Sequence, residues 1–282
     1  MRADDLRTGW RTDLILHRVG GQLIERDDCL VIRTPGNPTF YWGNCLITGH
    51  PPGDQDLDHW LGRFSEEVAS MQPESRHVAI GVDAPLGGRA YPRWRAAGFD
   101  VCEYRLLELR PGELLAPARA ARGEVALRAV GFGAAFERER DGVIDVEATD
   151  AGAFEPEGYR RYLVRQWDRY RVLHDAGLLQ WFGLWCEGQL AASCGLIRDR
   201  AEPGRVGRFQ RVVTHSSWRR RGLCSTLVHR VSSFALGEWK VSALHMVADP
   251  ADVAIGIYRS LGYRDSTSSF GLQRNAPEDR RA

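Results

Sequence analysis

Lysine is almost missing from this chain: of its 38 lysine and arginine residues, Lys240 is the only lysine. A nucleotide-gripping loop of the Gly-x-x-x-x-Gly-Lys-Ser/Thr type is thereby excluded, because its lysine must sit in the turn and reach the phosphates. No Gly-x-Gly-x-x-Gly occurs, which removes the usual dinucleotide fingerprint. Neither His-Glu-x-x-His nor Gly-x-Ser-x-Gly is present, so a zincin and a nucleophile elbow lack support. An excess of charge is missing too. The formal net charge is +1 over 282 residues, leaving no global field for nucleic acid.

The six cysteines, Cys29, Cys45, Cys102, Cys186, Cys194 and Cys224, form no Cys-x-x-Cys pair and show no zinc spacing with histidine. Reduced thiols and no metal are expected. No run reaches the eighteen or so apolar residues that a membrane helix requires. The opening MRADDLRTGWRTD is charged from the start and lacks the apolar core of a signal peptide. A cytoplasmic protein without a membrane partner is expected, and the preference for arginine points to a GC-rich bacterial genome.

What is present is concentrated between Arg208 and Ala235. RFQRVVTH reads as an apolar strand, SSWRRRGLC as an arginine-rich turn holding Gly222, and STLVHRVSSFA as an amphipathic helix. Leu223, Leu227, Val228, Val231, Phe234 and Ala235 recur on one helical face. A glycine turn feeding a helix start gathers unpaired N–H groups at the positive end of the helix dipole. Arg219, Arg220 and Arg221 add fixed charge there, so a phosphate-bearing ligand fits. An ordinary solvated turn would look the same in isolation.

Downstream, VSALHMVADPADVAIGIYRSLGY supplies a strand from Val241 to Ala248 and a helix carrying Tyr258. The helix ends in Leu261-Gly262-Tyr263. Together the two segments resemble the GNAT acetyltransferase superfamily. Arg219-Arg220-Arg221-Gly222-Leu223-Cys224 matches its Gln/Arg-x-x-Gly-x-Gly/Ala turn, with Cys224 where glycine or alanine is usual. The downstream helix matches its Ala-x-x-x-Tyr and Leu-Gly-aromatic pattern. Family members often carry an asparagine three residues before the alanine equivalent to Ala254; here that position is Ala251, with Asp249 and Asp252 the nearest polar residues.

A second copy of the same pattern stands earlier in the chain. Residues 76–109 and 242–274 each read as an apolar strand, a short helix ending in Gly-aromatic, and a further strand. Trp94 falls where Tyr258 falls, and Gly98-Phe99 where Gly262-Tyr263 falls. After the aromatic-rich strand expected at Phe40–Ile47, the first copy has GHPPGDQ and then the helix DLDHWLGRFSEEVASM, capped by Asp56 or Asp58. It lacks the arginine–glycine turn. The expected fold is therefore α/β of the α+β type: two GNAT-like domains, each a mixed, mostly antiparallel twisted sheet flanked by helices. A degenerate copy at 1–115 would pack on the second and wall the acceptor pocket. RPGELLAPARAARGE would link it to a cofactor-binding domain at 124–282. Glu157–Ala176 reads as the clearest amphipathic helix, and Glu187-Gly188 as a tight hairpin turn.

The resemblance implies acetyl-CoA as cosubstrate. Amides of Arg221, Gly222, Leu223, Cys224 and Ser225, with Arg219 and Arg220, would take the pyrophosphate. The exposed backbone of Val212, Val213 and Thr214 would pair the pantetheine arm, with a strand amide polarising the thioester carbonyl. Tyr258 would protonate the departing thiolate; as an aromatic it also suits simple packing. The general base stays open among His245, the acidic group Asp145, Glu147 and Asp150, and proton loss through water. Gln210 cannot serve.

The implied activity is N-acetylation of a primary amine by direct attack, in a monomer or homodimer. A small-molecule acceptor is favoured because Trp42, Trp60, Trp94, Trp167 and Trp181 could line an apolar pocket, although core packing also suits tryptophan. Two other classes remain: a non-catalytic CoA-binding or interaction module, and an anion- or nucleic-acid-binding regulator. The near-neutral charge and the lack of interleaved basic and aromatic residues argue against the second.

Overall fold

The computed structural model describes residues 1–133, 137, 140, 141, 144, 147, 155–199 and 205–277. The chain forms two compact units that do not follow chain order. The first comprises Met1–Tyr104, Glu147–Arg169 and Ser268–Ala282, the second Arg105–Val146 and Tyr170–Thr267.

In the first unit the strands β1 (Gln22–Glu25), β2 (Cys29–Arg33), β3 (Cys45–Thr48) and β4 (Val78–Val82) lie in that order. Next to β4 comes the later part of β11 (Arg264–Arg274), antiparallel, with Leu272 opposite Ile80. The β3–β4 pair is parallel. Every residue of β2 but the last is buried, as is all of β3 and β4. Such two-sided burial is why these strands read as continuous apolar runs rather than alternating ones. One face carries α2 (Leu57–Phe64), continued by a π turn at Ser65–Ala69, and α3 (Pro92–Ala96). Leu57, Trp60, Phe64 and Val68 recur on one helical face and pack with Trp94 and Phe99. The other face takes Leu6, Trp10 and Leu14 from the N-terminal segment containing α1 (Thr8–Asp13). The aromatic run expected as a strand from Phe40 is a 3-10 turn at Tyr41–Gly43, and pairing begins only at Cys45.

Glu67 ties this unit together electrostatically. Its carboxylate accepts from Arg26 Nε at 2.6 Å, Arg33 Nη2 at 3.2 Å and Arg63 Nη1 at 3.4 Å. The hydrogen bond from Arg26 does most to hold its pKa below the ordinary value, against the opposing effect of burial. Glu67→Gln leaves three guanidinium groups facing a neutral amide and is expected to cost about 2 kcal/mol at pH 7, read from denaturant unfolding. Because the native pKa is depressed, the contribution is present above the unfolded value of about 4.3 and lost as pH falls through the lower native value. The variant is expected to show a shallower loss of stability on acidification than the parent; equal slopes would dismiss this role.

In the second unit the strand order is β5-β10-β9-β8-β7-β6. The elements are β5 (Asp100–Leu109, of which 105–109 belong here), β6 (Val125–Val130), β7 (Leu179–Cys186), β8 (Gln189–Arg198), β9 (Val206–Thr214) and β10 (Ala243–Ala248). Within this order β5–β10, β6–β7, β7–β8 and β8–β9 are antiparallel, and β9–β10 is parallel. Helix α4 (Pro156–Asp175) matches the expected amphipathic helix to within a residue at each end. Its last turn brings Tyr170 to 5.2 Å from the ring of Trp181. Helices α5 (Leu223–Gly237) and α6 (Ala254–Ser260) pack over a core including Leu107, Cys194, Leu196, Phe209, Leu227, Val231, Leu244 and Leu261. The β7–β8 turn has positive φ at both Glu187 (53°) and Gly188 (77°), the backbone that a two-residue hairpin of matching twist requires.

The two copies read from sequence are both built as strand, short helix, strand: β4-α3-β5 and β10-α6-β11. Gly98 and Gly262 hold φ of 84° and 98° at equivalent positions. Their closing strands are exchanged. The end of β5 pairs with β10, His245 opposite Glu108, while the end of β11 pairs with β4. Sequential halves at 1–115 and 124–282 therefore do not coincide with the compact units. No helix among the described residues is long and apolar enough to cross a membrane.

Candidate functional site

The geometry of the site begins with a fault in the β8–β9 ladder. Ser193 faces Val213 but Gly195 faces Gln210, so β9 carries one extra residue opposite Cys194. Arg211 takes φ 46°, the irregular conformation of a bulge. On its other side β9 pairs with β10 only as far as Arg208 and His245. Beyond that pair, Val212, Val213 and Thr214 are half-buried and present a strand edge with no partner strand among the described residues. An extended amide chain can add to such an edge. The hydroxyl of Thr214 is buried and bonds to no described residue.

The strand runs into the arginine turn. His215 Nδ1 accepts from Ser217 N at 3.3 Å, fixing the 3-10 turn Ser216–Trp218. Arg219 Nε donates to the Thr214 carbonyl at 3.2 Å, and Arg221 lies 4.7 Å over the Trp218 ring. Two of the three arginines thus hold the turn's shape. Arg220 is exposed with φ 63°. Gly222 is the N-cap of α5 at φ 77° and gives the first turn no side-chain cap. The amides of Leu223, Cys224 and Ser225 accordingly keep the unpaired, positively polarised state of a helix start.

The segment expected as a linker is pinned to this corner. Ser225 Oγ donates to Arg119 O at 2.6 Å, and Ala121 N donates to Thr226 Oγ1 at 2.8 Å. Leu115 N donates to Leu261 O at 3.0 Å. Ser225's hydroxyl therefore serves the protein backbone, and only its amide faces a ligand role. Asp249 and Asp252 accept from the amides of Ala251 and Ala254, both at 2.8 Å, shaping the entry to α6.

Tyr258 is buried in the second unit's core, and its hydroxyl bonds to no described residue. Burial, then the neighbouring Cys224, Asp252, Cys194 and Tyr263, pushes its phenol well above the ordinary 10. Tyr258 stays protonated at any physiological pH. Cys224 is pushed up to about 11 by burial and Asp252, so it remains a thiol. Tyr263, just beyond the end of α6, shares a 2.8 Å hydrogen bond with Ser232 of α5. His245 is buried, with Nδ1 3.9 Å from Glu108 Oε2, and faces Arg208 on the adjoining strand. It stands where the β9–β10 pairing stops. Of the other base candidates, Glu147 is buried, while Asp145 and Asp150 lie outside the described residues.

The corresponding turn of the first copy is filled by the chain itself. Asp56 Oδ2 accepts from Gly53 N at 2.7 Å, Asp54 Oδ1 accepts from Arg93 N at 2.9 Å, and Asp58 pairs with Arg93 at 3.3 Å. Three carboxylates where the second copy has three arginines repel an anion. Trp60, Trp94, Trp167 and Trp181 are core residues, whereas Trp42 is half-buried and lines a cavity. Among the described residues no cluster of three His, Cys, Asp or Glu could hold a metal ion.

The family model for the acetyltransferase (GNAT) family matches residues 140–263, spanning the bulge, the arginine turn and Tyr258. Residues 140–263 thus resemble a GNAT domain. Acetyl transfer is that family's chemistry. No curated protein matches the chain. Among solved structures, a functionally unknown conserved protein from Staphylococcus epidermidis is 15% identical, with 92% of this chain and 95% of that one covered at a TM-score of 0.71. A GCN5-related N-acetyltransferase from Kribbella flavida is 18% identical over 93% and 92% of the two chains, with a TM-score of 0.60. A tandem GNAT protein from the clavulanic acid biosynthesis pathway is 14% identical over 88% and 78%, with a TM-score of 0.54. At these identities the likeness is one of fold, shared with a tandem GNAT protein.

Proposed function

We propose that the GNAT domain transfers an acetyl group from acetyl-CoA to a primary amine, and that the acceptor is a small molecule. The observation that carries this reading is the unpaired edge of β9 leading directly into an uncapped, arginine-flanked helix start. Acetyl-CoA has a matching layout, with an amide-bearing arm joined to a pyrophosphate. Val212, Val213 and Thr214 would bond the arm. The orphaned Thr214 hydroxyl gives it a further polar partner. The amides from Gly222 to Ser225 would receive the diphosphate, with Arg220 facing it from solvent. Several charge-assisted hydrogen bonds of about 1.5–3 kcal/mol each support affinity in the micromolar range, about −8 kcal/mol.

An attacking ammonium with a pKa near 10.4 must lose a proton. His245 is the proposed base, oriented by Glu108. Tyr258 is the proposed acid for the departing thiolate. The test is titration calorimetry with acetyl-CoA together with thiol release over a panel of small amines, for the parent and His245→Gln. Micromolar binding, amine-dependent release and about a tenfold lower kcat in the variant are expected. Binding without release from any amine would favour a non-catalytic CoA-binding module; release unchanged in the variant would leave deprotonation to water.

A further inference from the structure

The first unit contains a cavity of about 300 Å³ that no step of acetyl transfer uses. Phe40, Tyr41, Trp42, Tyr104, Tyr159 and Tyr162 form its walls, and none of its lining side chains among the described residues is charged. Five of these rings are half-buried, with Tyr41 buried. So dense a set of incompletely covered aromatics in one concavity is the composition of a ligand site rather than of ordinary surface.

The walls are set before any ligand arrives. A Cβ at Gly43 would overlap the ring of Phe40, and one at Gly271 would overlap the ring of Trp42. Both rings therefore lie flat on backbone that only glycine leaves open. Phe40 and Tyr162 stand 5.9 Å apart between centroids, and Tyr159 and Tyr162 5.5 Å apart. Trp42 meets Tyr104 edge-on at 6.0 Å and 85°. Tyr41 is held by a stack on His77 at 4.2 Å, and its hydroxyl accepts from Ala276 N at 3.0 Å.

A second cavity, of about 360 Å³, adjoins the first across Thr39, Tyr41 and Gly158. Among the described residues its charged lining is Arg76, Arg161, Arg165 and Glu74, with Arg165 and Glu74 paired at 2.9 Å. His77 adds no charge near neutral pH, since burial lowers it to about 4. Arg165 and Glu74 offset one another, and the exposed Arg161 places a positive charge beside the aromatic chamber. We infer that the first unit binds an aryl anion: a planar aromatic body stacked among Phe40, Trp42, Tyr159 and Tyr162, with its carboxylate or phosphate turned toward Arg161. Aromatic walls suit a flat ring in offset or edge-on contact, and a guanidinium suits a planar or tetrahedral oxyanion.

The inference stands apart from the acetyl-CoA reading because every residue it uses belongs to the first unit. Calorimetric titration of the whole protein with 2-naphthoate, 2-naphthyl phosphate and neutral 2-naphthamide tests it. Saturable binding of at least one anion is expected, at least tenfold tighter than the amide, and the tighter anion identifies the group recognised. Arg161 is exposed, so Arg161→Glu leaves the core intact and is expected to weaken the anion at least tenfold. Arg161→Lys should retain most of the affinity, and both variants should bind acetyl-CoA as the parent does. Absence of binding by either anion, equal binding of the amide, or an unchanged affinity in Arg161→Glu would overturn the inference.

Discussion

Gly222→Ala is expected to raise the dissociation constant for acetyl-CoA about a hundredfold, or some 2.7 kcal/mol. Two costs combine. Gly222 sits at φ 77°, where an L-residue is disfavoured by roughly 1–2 kcal/mol. Its added Cβ would also lie 2.8 Å from Arg119 O and from the backbone of Ala120. Those are main-chain atoms of a segment held by Ser225 and Thr226, so neither yields like the tip of a flexible side chain. Relief requires rotating the first turn of α5 or displacing residues 119–121. Either movement misaligns the amides of Leu223, Cys224 and Ser225, and losing two charge-assisted bonds exceeds the stated loss. Titration calorimetry alongside circular dichroism separates this from unfolding. Unchanged affinity in a folded variant would remove the turn from cofactor binding, and the functional reading with it.

Local features were the ones legible in the sequence. The arginine turn and α5 were readable because a strand, a glycine and an amphipathic period occur within thirty residues. The hairpin at Glu187-Gly188 and helix α4 announced themselves through turn chemistry and periodicity in the same way. The repeat was readable from Gly98 and Gly262, each serving a positive φ before an aromatic. The exchange of closing strands was not, since nothing in the side-chain pattern of β5 says that Leu107 pairs beside Met246 rather than within its own copy. Register of that kind is decided by pairing over more than a hundred residues of separation.

The bulge was equally hidden, because Arg211 is not a residue type that signals positive φ. The segment 110–124 looked like a tether from its proline, glycine and alanine content. Its docking rests on backbone groups meeting the Ser225 and Thr226 hydroxyls, for which the only sequence trace is two hydroxyl residues directly after the turn. Likewise Tyr41 and Trp42 were visible as aromatics, but their place in a 3-10 turn lining a cavity depended on glycines at 43 and 271, far apart in the chain.

Tyr258→Phe is expected to lower kcat by about a hundred- to a thousandfold while leaving the dissociation constant for acetyl-CoA unchanged. The ring packs in the core with Leu261 and Tyr263, and phenylalanine retains that packing. The hydroxyl bonds to no described residue, so its removal orphans no partner and stability should barely change. In the proposed role its value lies in the proton. A free thiolate has a conjugate-acid pKa near 8.5, which at first makes a phenol raised well above 10 a poor donor. The same desolvation acts on a thiolate formed at that place, raising its proton affinity as well. Donor and acceptor therefore draw closer than their solution values, and transfer occurs as charge develops on sulfur. Because the raised phenol keeps its proton, the parent's kcat should show no falling limb from this group between pH 6 and 10. A kcat untouched by the substitution would show that Tyr258 only packs, and a falling limb below pH 10 that disappears in Tyr258→Phe would show that its phenol is not raised.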